Sequence, residues 1–522
     1  MNKQTSTPSG VATGLAQSTQ TVDTRIGKLD FEHGVPTQAT VKNLYVQMDF
    51  QRACQLYLWA LPAVGFERLQ ATLEGTTGAL ANDIAIFKDY WNLLVFFTPN
   101  ATTPYTVGFL DLAKAGPVVM DVPAGPIAGS VMDFWQRPLS DLGLAGPDQG
   151  KGGKYVFVGP GQEAPTVPRG IVLGSPTFRV VFFYRALDPD PAKAETLSKG
   201  VSIYTWTDRN HPPATRFLTP DPDKIAKFTD PPRGMEYWER LAAFIQREPV
   251  EDRDRFFMAM LKPLGIEKGQ PFKPDERQKK ILTEGAFVGE AMAKANSFDM
   301  RVPDALYRPD ALWFHFMMLD PMQDLANYSE PDERAAYFYS ALGVTKGVVS
   351  KTPGLGQAYL GTVRDKEGHA FDGAKSYRVH VPPNPPAKQF WSTTLYDVDT
   401  RSLIQNKEER ADRSSRHDLV KNADGSVDIY FAPTPPKGLE NNWIPTVPGK
   451  AWFAVFRFYA PTEAYFDKSW PPPDVEKMKW TGAFGNYLDD KRSTGEVGHS
   501  TDPVVNQKRR QLFQSHIYLD CF

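Results

Sequence analysis

Residues 381–399 read VPPNPPAKQFWSTTLYDVD, and residues 122–135 read VPAGPIAGSVMDFW. Each opens on Val-Pro, crosses a turn containing proline, and re-enters an apolar run that reaches an aspartate, Asp397 in one and Asp133 in the other. The likeness extends outward. PVVMDVP, GSVMDFW, GGKYVFVGPG and FRVVFFYRAL follow one another between residues 117 and 187. YRVHVPP, STTLYDVD, DGSVDIYFAP and WFAVFRFYAP follow in the same order between 377 and 461. Runs of β-branched and aromatic residues bounded by Gly and Pro predict strands. Four blocks in one order, with the length differences confined to turns, point to an internal duplication. Two unrelated antiparallel sheets would share part of this pattern through their Val/Phe/Tyr strands and Gly/Pro turns.

The predicted fold is therefore mainly β with helical segments: two jelly-roll-like antiparallel β-sandwiches joined by a helical spacer. The boundaries expected are a disordered arm at 1–37, a helical lead-in at 38–97, a first sandwich at 98–232, a spacer at 233–335, a second sandwich at 336–476 and a tail at 477–522. In the lead-in, Leu44, Met48, Ala53, Leu56, Tyr57 and Ala60 recur at helical steps, and Pro62 is expected to end or kink that helix. A second helical piece is expected around 65–81. In the spacer, GMEYWERLAAFIQRE, DRDRFFMAMLKPLGI and KPDERQKKILTEGAFVGEAMAKANSF carry amphipathic spacing.

Bulk properties exclude several classes. A chain of 522 residues exceeds one ordinary core, so two or three domains are expected. A net charge of −2 leaves no basic footprint for nucleic acid. No apolar run reaches the length that spans a membrane. Two cysteines, Cys54 and Cys521, make no disulfide framework. The start MNKQTSTPSGVATGLAQSTQ lacks an apolar signal core, so the protein is expected to be soluble: cytoplasmic as written, periplasmic or secreted if a leader has been removed. None of the eight histidines falls in HxH, HExxH or a Cys/His cluster, which speaks against the common zinc sites. A GxSxG elbow, a Walker loop and a GxGxxG turn are all missing.

The chemistry that remains is polar residues set among aromatics. TPNATTPY offers Asn100, Thr102, Thr103 and Tyr105 either as a loop bonding its own backbone or as the mouth of a pocket. MDFWQRP places Asp133, Trp135 and Arg137 at alternate positions, which on a strand share one face. YDVDTR repeats this with Asp397, Asp399 and Arg401. Each set reads as a structural Asp–Arg pair or as a site. A carboxylate pair suits acid–base hydrolysis if one pKa is raised, or a divalent cation such as calcium; no other cofactor is identifiable. The segment 409–425 is the main insertion of the second repeat and carries Arg410, Arg413, Arg416 and His417; NNWIP adds Asn442 and Trp443. Arg413 and Trp443 suit a carboxylate or a sugar-like ring.

DFQRACQLYLWALP, TPNATTPYTVGFLDL, GPVVMDVP, KYVFVGPG, KTPGLGQAYLG, QFWSTTLYDVDTR, KNADGSVDIYF and ENNWIPTVPGKAWFAVFRFY resemble a large, mainly bacterial two-domain family. Its halves are labelled domain of unknown function 1254 (N-terminal) and domain of unknown function 1214 (C-terminal). The resemblance covers roughly residues 25–475 and implies two jelly-roll-like sandwiches joined by helices, with no established mechanism. Asn100, Thr103, Tyr105, Asp133, Trp391, Asp397, Arg413, Asn442 and Trp443 fall in the matching motifs.

The site expected is a cleft near the sandwich junction. Asp133, Asp397 and Tyr105 would be catalytic; Asn100, Thr103, Trp135, Trp391, Arg413, Asn442 and Trp443 would bind substrate. The function expected is hydrolase-like or lyase-like action on a small organic ester, acid or saccharide-like molecule. The alternative is a non-catalytic protein binding glycan or another protein. Expected partners are a small-molecule or saccharide-like ligand and further copies of the chain in an oligomer.

Overall fold

Eight of the β segments read from sequence form strands, and they fall into two sets of sheets. The structure, a computed structural model, describes residues 19–478. Cys521 and the expected tail beyond 478 lie outside the described residues, as do residues 1–18. The first set comprises β4 (Ile84–Phe87), β5 (Tyr105–Asp111), β6 (Val118–Val122), β7 (Ile127–Asp133), β8 (Pro138–Gly143), β9 (Gly153–Val158), β10 (Ile171–Gly174), β11 (Arg179–Ala186), β12 (Ser202–Thr205) and β13 (Phe217–Leu218). They follow β1 (Thr19–Thr24), β2 (Gly27–Glu32) and β3 (Val35–Pro36). The second set comprises β14 (Phe314–His315), β15 (Gln357–Thr362), β16 (Tyr377–Val381), β17 (Ala387–Asp397), β18 (Asp412–Ser414), β19 (Val427–Ala432), β20 (Trp443–Pro445) and β21 (Trp452–Pro461).

In the first set one sheet runs β13-β4-β5-β11-β7-β8 and the other β10-β9-β6-β12. In the second set one sheet runs β14-β15-β21-β17-β18, and another contains β20-β19-β16. Most pairings are antiparallel, with parallel exceptions at β4/β13, at β9/β10 and, in the matching place, at β19/β20. Three of the sheets thus depart from the purely antiparallel pattern expected from the turns, while β14-β15-β21-β17-β18 keeps it. The result is a mixed architecture of several largely antiparallel sheets with helices, not closed into a barrel.

Three sequence expectations need correction. Residues 19–36, expected within a disordered arm, form the small antiparallel sheet β1-β2-β3, whose alternating Thr, Val and Phe residues suit pairing. The first large sheet begins at β4, inside the stretch expected to be a helical lead-in. And Pro62 does not end its helix. A single helix, α1, runs Gln38–Thr77 for 40 residues through Pro62. A mid-helix proline removes one N–H and crowds the preceding turn, so nearby carbonyls need other donors. Neighbouring side chains supply them. Tyr237 donates its hydroxyl to the Tyr57 carbonyl at 2.6 Å, Arg334 donates to the Trp59 carbonyl, and Gln136 Nε2 donates to the Pro62 carbonyl at 2.7 Å. The helix is buried continuously from Leu56 to Leu69, which explains its run of apolar residues without a clear polar face.

The helical spacer is present. It holds α2 (Met235–Arg247), α3 (Arg255–Leu261), α4 (Glu276–Phe298) and α5 (Pro331–Ser340). Asp275 caps α4 by accepting the Gln278 N–H at 2.7 Å, while Gln278 reaches back to the Asp275 N–H at 2.9 Å. α4 lies close against α1 because Gly285 and Gly289 leave room: a Cβ on Gly289 would come within 2.6 Å of the Tyr57 side chain. Among the described residues no helix is long and apolar enough to cross a membrane.

Overpacking of this kind costs about 1–3 kcal/mol. Gly289→Leu is therefore expected to lower the unfolding free energy by about 2 kcal/mol in chemical denaturation, whereas Glu284→Ala on the exposed side of α4 leaves it unchanged.

Candidate functional site

The loop that carries TPNATTPY is folded over one face of the second half's five-stranded sheet. Cross-strand register puts Tyr359, Arg457 and Ser392 side by side, Gln357 beside Tyr459, and Thr394 beside Asp412, so all share a face. This is an unusually polar face for a sheet interior. Arg457 is 2% exposed. It donates from Nη2 to the Thr98 carbonyl at 2.9 Å and from Nη1 to Thr394 Oγ1 at 3.1 Å, and it lies 5.6 Å from the Tyr359 ring and 5.5 Å from that of Tyr396. No carboxylate oxygen of the described residues lies within 4.0 Å of it.

The loop closes the face from above. Tyr396 donates its hydroxyl to the Pro99 carbonyl at 2.7 Å, and Thr102 donates to Asp412 Oδ2 at 3.2 Å. Asn100 is spent inside the loop. It donates from Nδ2 to Thr103 Oγ1 at 2.7 Å, accepts the Thr102 N–H at 2.6 Å, and gives its own N–H to the Tyr105 hydroxyl at 2.9 Å. Arg185, from β11, donates to Thr103 Oγ1 at 3.1 Å and stands 4.9 Å from the Tyr105 ring. At the floor, the buried Tyr459 hydroxyl has no hydrogen-bond partner. Burial holds the Tyr459 hydroxyl above its ordinary pKa and also raises that of Asp412; burial lowers that of His417, which sits beside Ser414 at the rim. The junction thus joins two guanidiniums, a free phenol and a protonable carboxyl, with Tyr105, Thr103 and Arg185 partly open to solvent.

A second polar centre surrounds Asp133. β7 ends at Asp133, and its Oδ1 accepts the N–H groups of Trp135 and Arg137, each at 2.8 Å. The chain turns there with Gln136 at φ 61°. Trp135 and Arg137 are therefore gathered by a turn and not by strand alternation. Asp133 Oδ2, Trp135 Nε1, Arg137 Nε and Nη1, Glu251 Oε1 and Asp254 Oδ2 are all buried without a hydrogen-bond partner. Burial pushes Asp133 up to about 6, against the pull of Arg137, and also raises Asp254. Arg334, above the Trp135 ring, is driven down to about 9 by burial and then by Arg137.

Asp397 occupies the corresponding strand end of β17 and uses its carboxylate differently. Oδ1 accepts the N–H groups of Asp399 and Thr400 at 2.8 and 3.2 Å, and Oδ2 accepts from Lys450 Nζ at 2.8 Å. Both oxygens are occupied, the arrangement of a turn strut. The three residues expected to be catalytic therefore stand in three places, with no hydrogen bond or ion pair joining them. Trp391, Arg413, Asn442 and Trp443 are buried in the second half. Trp391 stacks on Phe456 at 5.2 Å, and Trp443 donates to the Ala432 carbonyl at 2.8 Å. Asn442 is saturated by the backbone of Val420 and Asp428. Arg413 donates to the Asp412 carbonyl at 3.0 Å, and its Nε is unpartnered. Thr393 opposes both Phe456 and Arg413, so Arg413 sits on the face away from Asp412 and Arg457. Arg457, Tyr459, Asp412 and Arg185 were not singled out as site residues. An arginine inside the apolar run WFAVFRFYAP was the available signal.

The fold is that of a two-part protein whose halves meet over a seam of polar side chains. Residues 81–205 match the family described as "Protein of unknown function (DUF1254)", and residues 356–463 match "Protein of unknown function (DUF1214)". Both family matches are thus present in one chain, the first preceding the second as expected from the sequence. Among solved structures it is similar to the VPA0106 protein from Vibrio parahaemolyticus, at 20% identity and a TM-score of 0.51, covering 83% of this chain and 100% of that one. A putative uncharacterized protein from Burkholderia cenocepacia aligns at 11% identity and a TM-score of 0.38, covering 84% of this chain and 97% of that one. No curated protein matches.

The raised pKa of Asp133 has a sign that can be tested. A carboxyl titrating near 6 when folded, against 3.8 in its ordinary state, contributes its stability below the lower value and loses it as pH rises through the upper. Asp133→Asn removes that loss. Relative to the wild type, the variant is expected to gain about 2–3 kcal/mol between pH 4 and pH 8 in denaturant titrations; a difference constant with pH contradicts the assignment.

Proposed function

We propose that the chain is a hydrolase-like or lyase-like enzyme acting on a small organic ester or acid at the junction between its halves. The observation that carries this reading is the Arg457 guanidinium, buried without a carboxylate, beside the unpartnered hydroxyl of Tyr459. A buried charge and a buried donor left open are costly unless a ligand completes them. An acid's carboxylate or an ester's carbonyl supplies what both lack. Arg457 and Arg185 would hold the negative charge that develops, and Tyr459 would donate to it. Asp412, whose carboxyl burial holds above its ordinary pKa, would give or take that proton, with His417 beside it at the rim. Tyr105 would position Arg185 through its ring, and Thr103 through its hydroxyl. In this reading Asn100 and Asp397 shape backbone.

We further infer that the halves are copies of one jelly-roll-like unit. The order β4-β5-β11-β7-β8 matches β14-β15-β21-β17-β18, and β10-β9-β6 matches β20-β19-β16, parallel pair included. The four sequence blocks that repeat occupy matching strands. On this account only one copy of the sheet face became the site floor, and residues of the other copy close over it.

Short-chain carboxylate esters and hydroxy acids are the substrates to assay. Tyr459→Phe is expected to lower kcat by about 10²-fold, the cost of losing one donor to a developing oxyanion, with the melting temperature preserved. Asp412→Asn is expected to remove one limb of the pH–rate profile. Ligand binding without turnover in the wild type would instead support the binding-protein alternative.

A further inference from the structure

The turn that directly follows β15 carries a second kind of chemistry. Residues 364–370 link β15 to β16 and read RDKEGHA. The turn is held by the Asp365 N–H on the His369 carbonyl at 2.8 Å and the Gly368 N–H on the Asp365 carbonyl at 2.7 Å. Asp365 Oδ1 accepts the N–H groups of Glu367 and His369 at 3.1 and 3.0 Å. This brings three donor side chains to one side: the His369 Nδ1 lies 3.6 Å from Asp365 Oδ1 and 3.6 Å from Glu367 Oε2. One ligand atom from each of the three lies within 4.8 Å of the others.

The charge balance of Asp365 is the independent observation. Asp365 is 1% exposed, and its Oδ2 is buried with no hydrogen-bond partner. No lysine or arginine of the described residues lies within 4.0 Å of it. The flanking cations are engaged elsewhere: Arg364 donates to the Gly368 carbonyl, and Lys366 pairs with Glu476 at 3.0 Å. A buried carboxylate with a free oxygen requires a compensating positive charge.

We propose that Asp365, Glu367 and His369 form a divalent-cation site, with water completing the coordination. The imidazole nitrogen selects a borderline first-row ion such as Zn²⁺ over calcium, which takes all-oxygen cages. Glu367 and His369 are exposed, so they can close these spacings onto an ion, and the buried Asp365 fixes where that ion sits. The site differs from the cation expected at Asp133 or Asp397, and it does not depend on the reaction proposed for the junction.

The test is isothermal titration calorimetry of the full chain, stripped with EDTA and dialysed, against ZnCl₂ and CaCl₂. The expected result is one strong zinc site per chain. Because both side chains are exposed, His369→Ala and Glu367→Gln are expected to keep the melting temperature of the metal-free protein. Each should weaken zinc binding by at least ~10-fold, the scale on which loss of a metal-supporting group is felt. Absence of zinc binding in the wild type overturns the proposal. So does zinc binding that survives both substitutions, or calcium binding as tight as zinc binding.

Discussion

The guanidinium of Arg457 is the constraint around which the two halves are arranged. It emerges from the centre of an otherwise apolar strand and is held at 2% exposure. Burying a charge is expensive, so its surroundings must be polar and ordered. They are supplied from both sides of the junction: Thr394 and the tyrosine rings from the second half, and the Thr98 carbonyl from the first. To present that carbonyl the loop adopts a positive φ at Thr98, and Thr98 is tied in turn to the Arg401 and Ser340 carbonyls. One charge thereby fixes the loop that carries Tyr105, Thr102 and Thr103. The same device recurs at Arg68, whose guanidinium reaches the carbonyls of Val95, Phe228, Thr229 and Asp230 and joins α1 to the chain beyond the first sheets.

Two sheets with the same strand order let one residue type play two parts. Asp133 and Asp397 end matching strands and both accept backbone N–H groups through Oδ1. Their second oxygens then diverge. Lys450 takes that of Asp397, whereas that of Asp133 lies in the field of Arg137, Glu251 and Arg253 with no donor close enough to bond. The backbone need is shared and local; the fate of the second oxygen depends on which helix or loop happens to cover each strand end.

This divides what could be read from the sequence from what could not. Strands were legible because β-branched and aromatic runs between Gly and Pro have one good conformation, and the order of the blocks is kept in the order of the strands they form. The turns at Asp133 and Asp397 differ from the strand alternation expected, since spacing by two fits either a strand or an aspartate accepting from residues two to four ahead. Pro62 misled because its carbonyl partners, Tyr237, Arg334 and Gln136, lie far away in sequence. Thr102 and Thr103 stand out in the sequence, but their partners Asp412 and Arg185 come from other strands, and no local pattern announces that they meet. Trp391, Asn442 and Trp443 look like binding residues in a sequence because aromatic and amide groups serve equally to fill an interior and saturate backbone.

The most direct test of the account is anomalous diffraction from crystals of the protein soaked in bromide. If the junction is an anion-receiving site, bromide will occupy the space bounded by Arg457, Arg185 and the Tyr459 hydroxyl. If that hydroxyl is instead bonded to an ordered group of the protein and no bromide enters while other surface arginines bind it, Arg457 is a structural rivet and the junction is not the site.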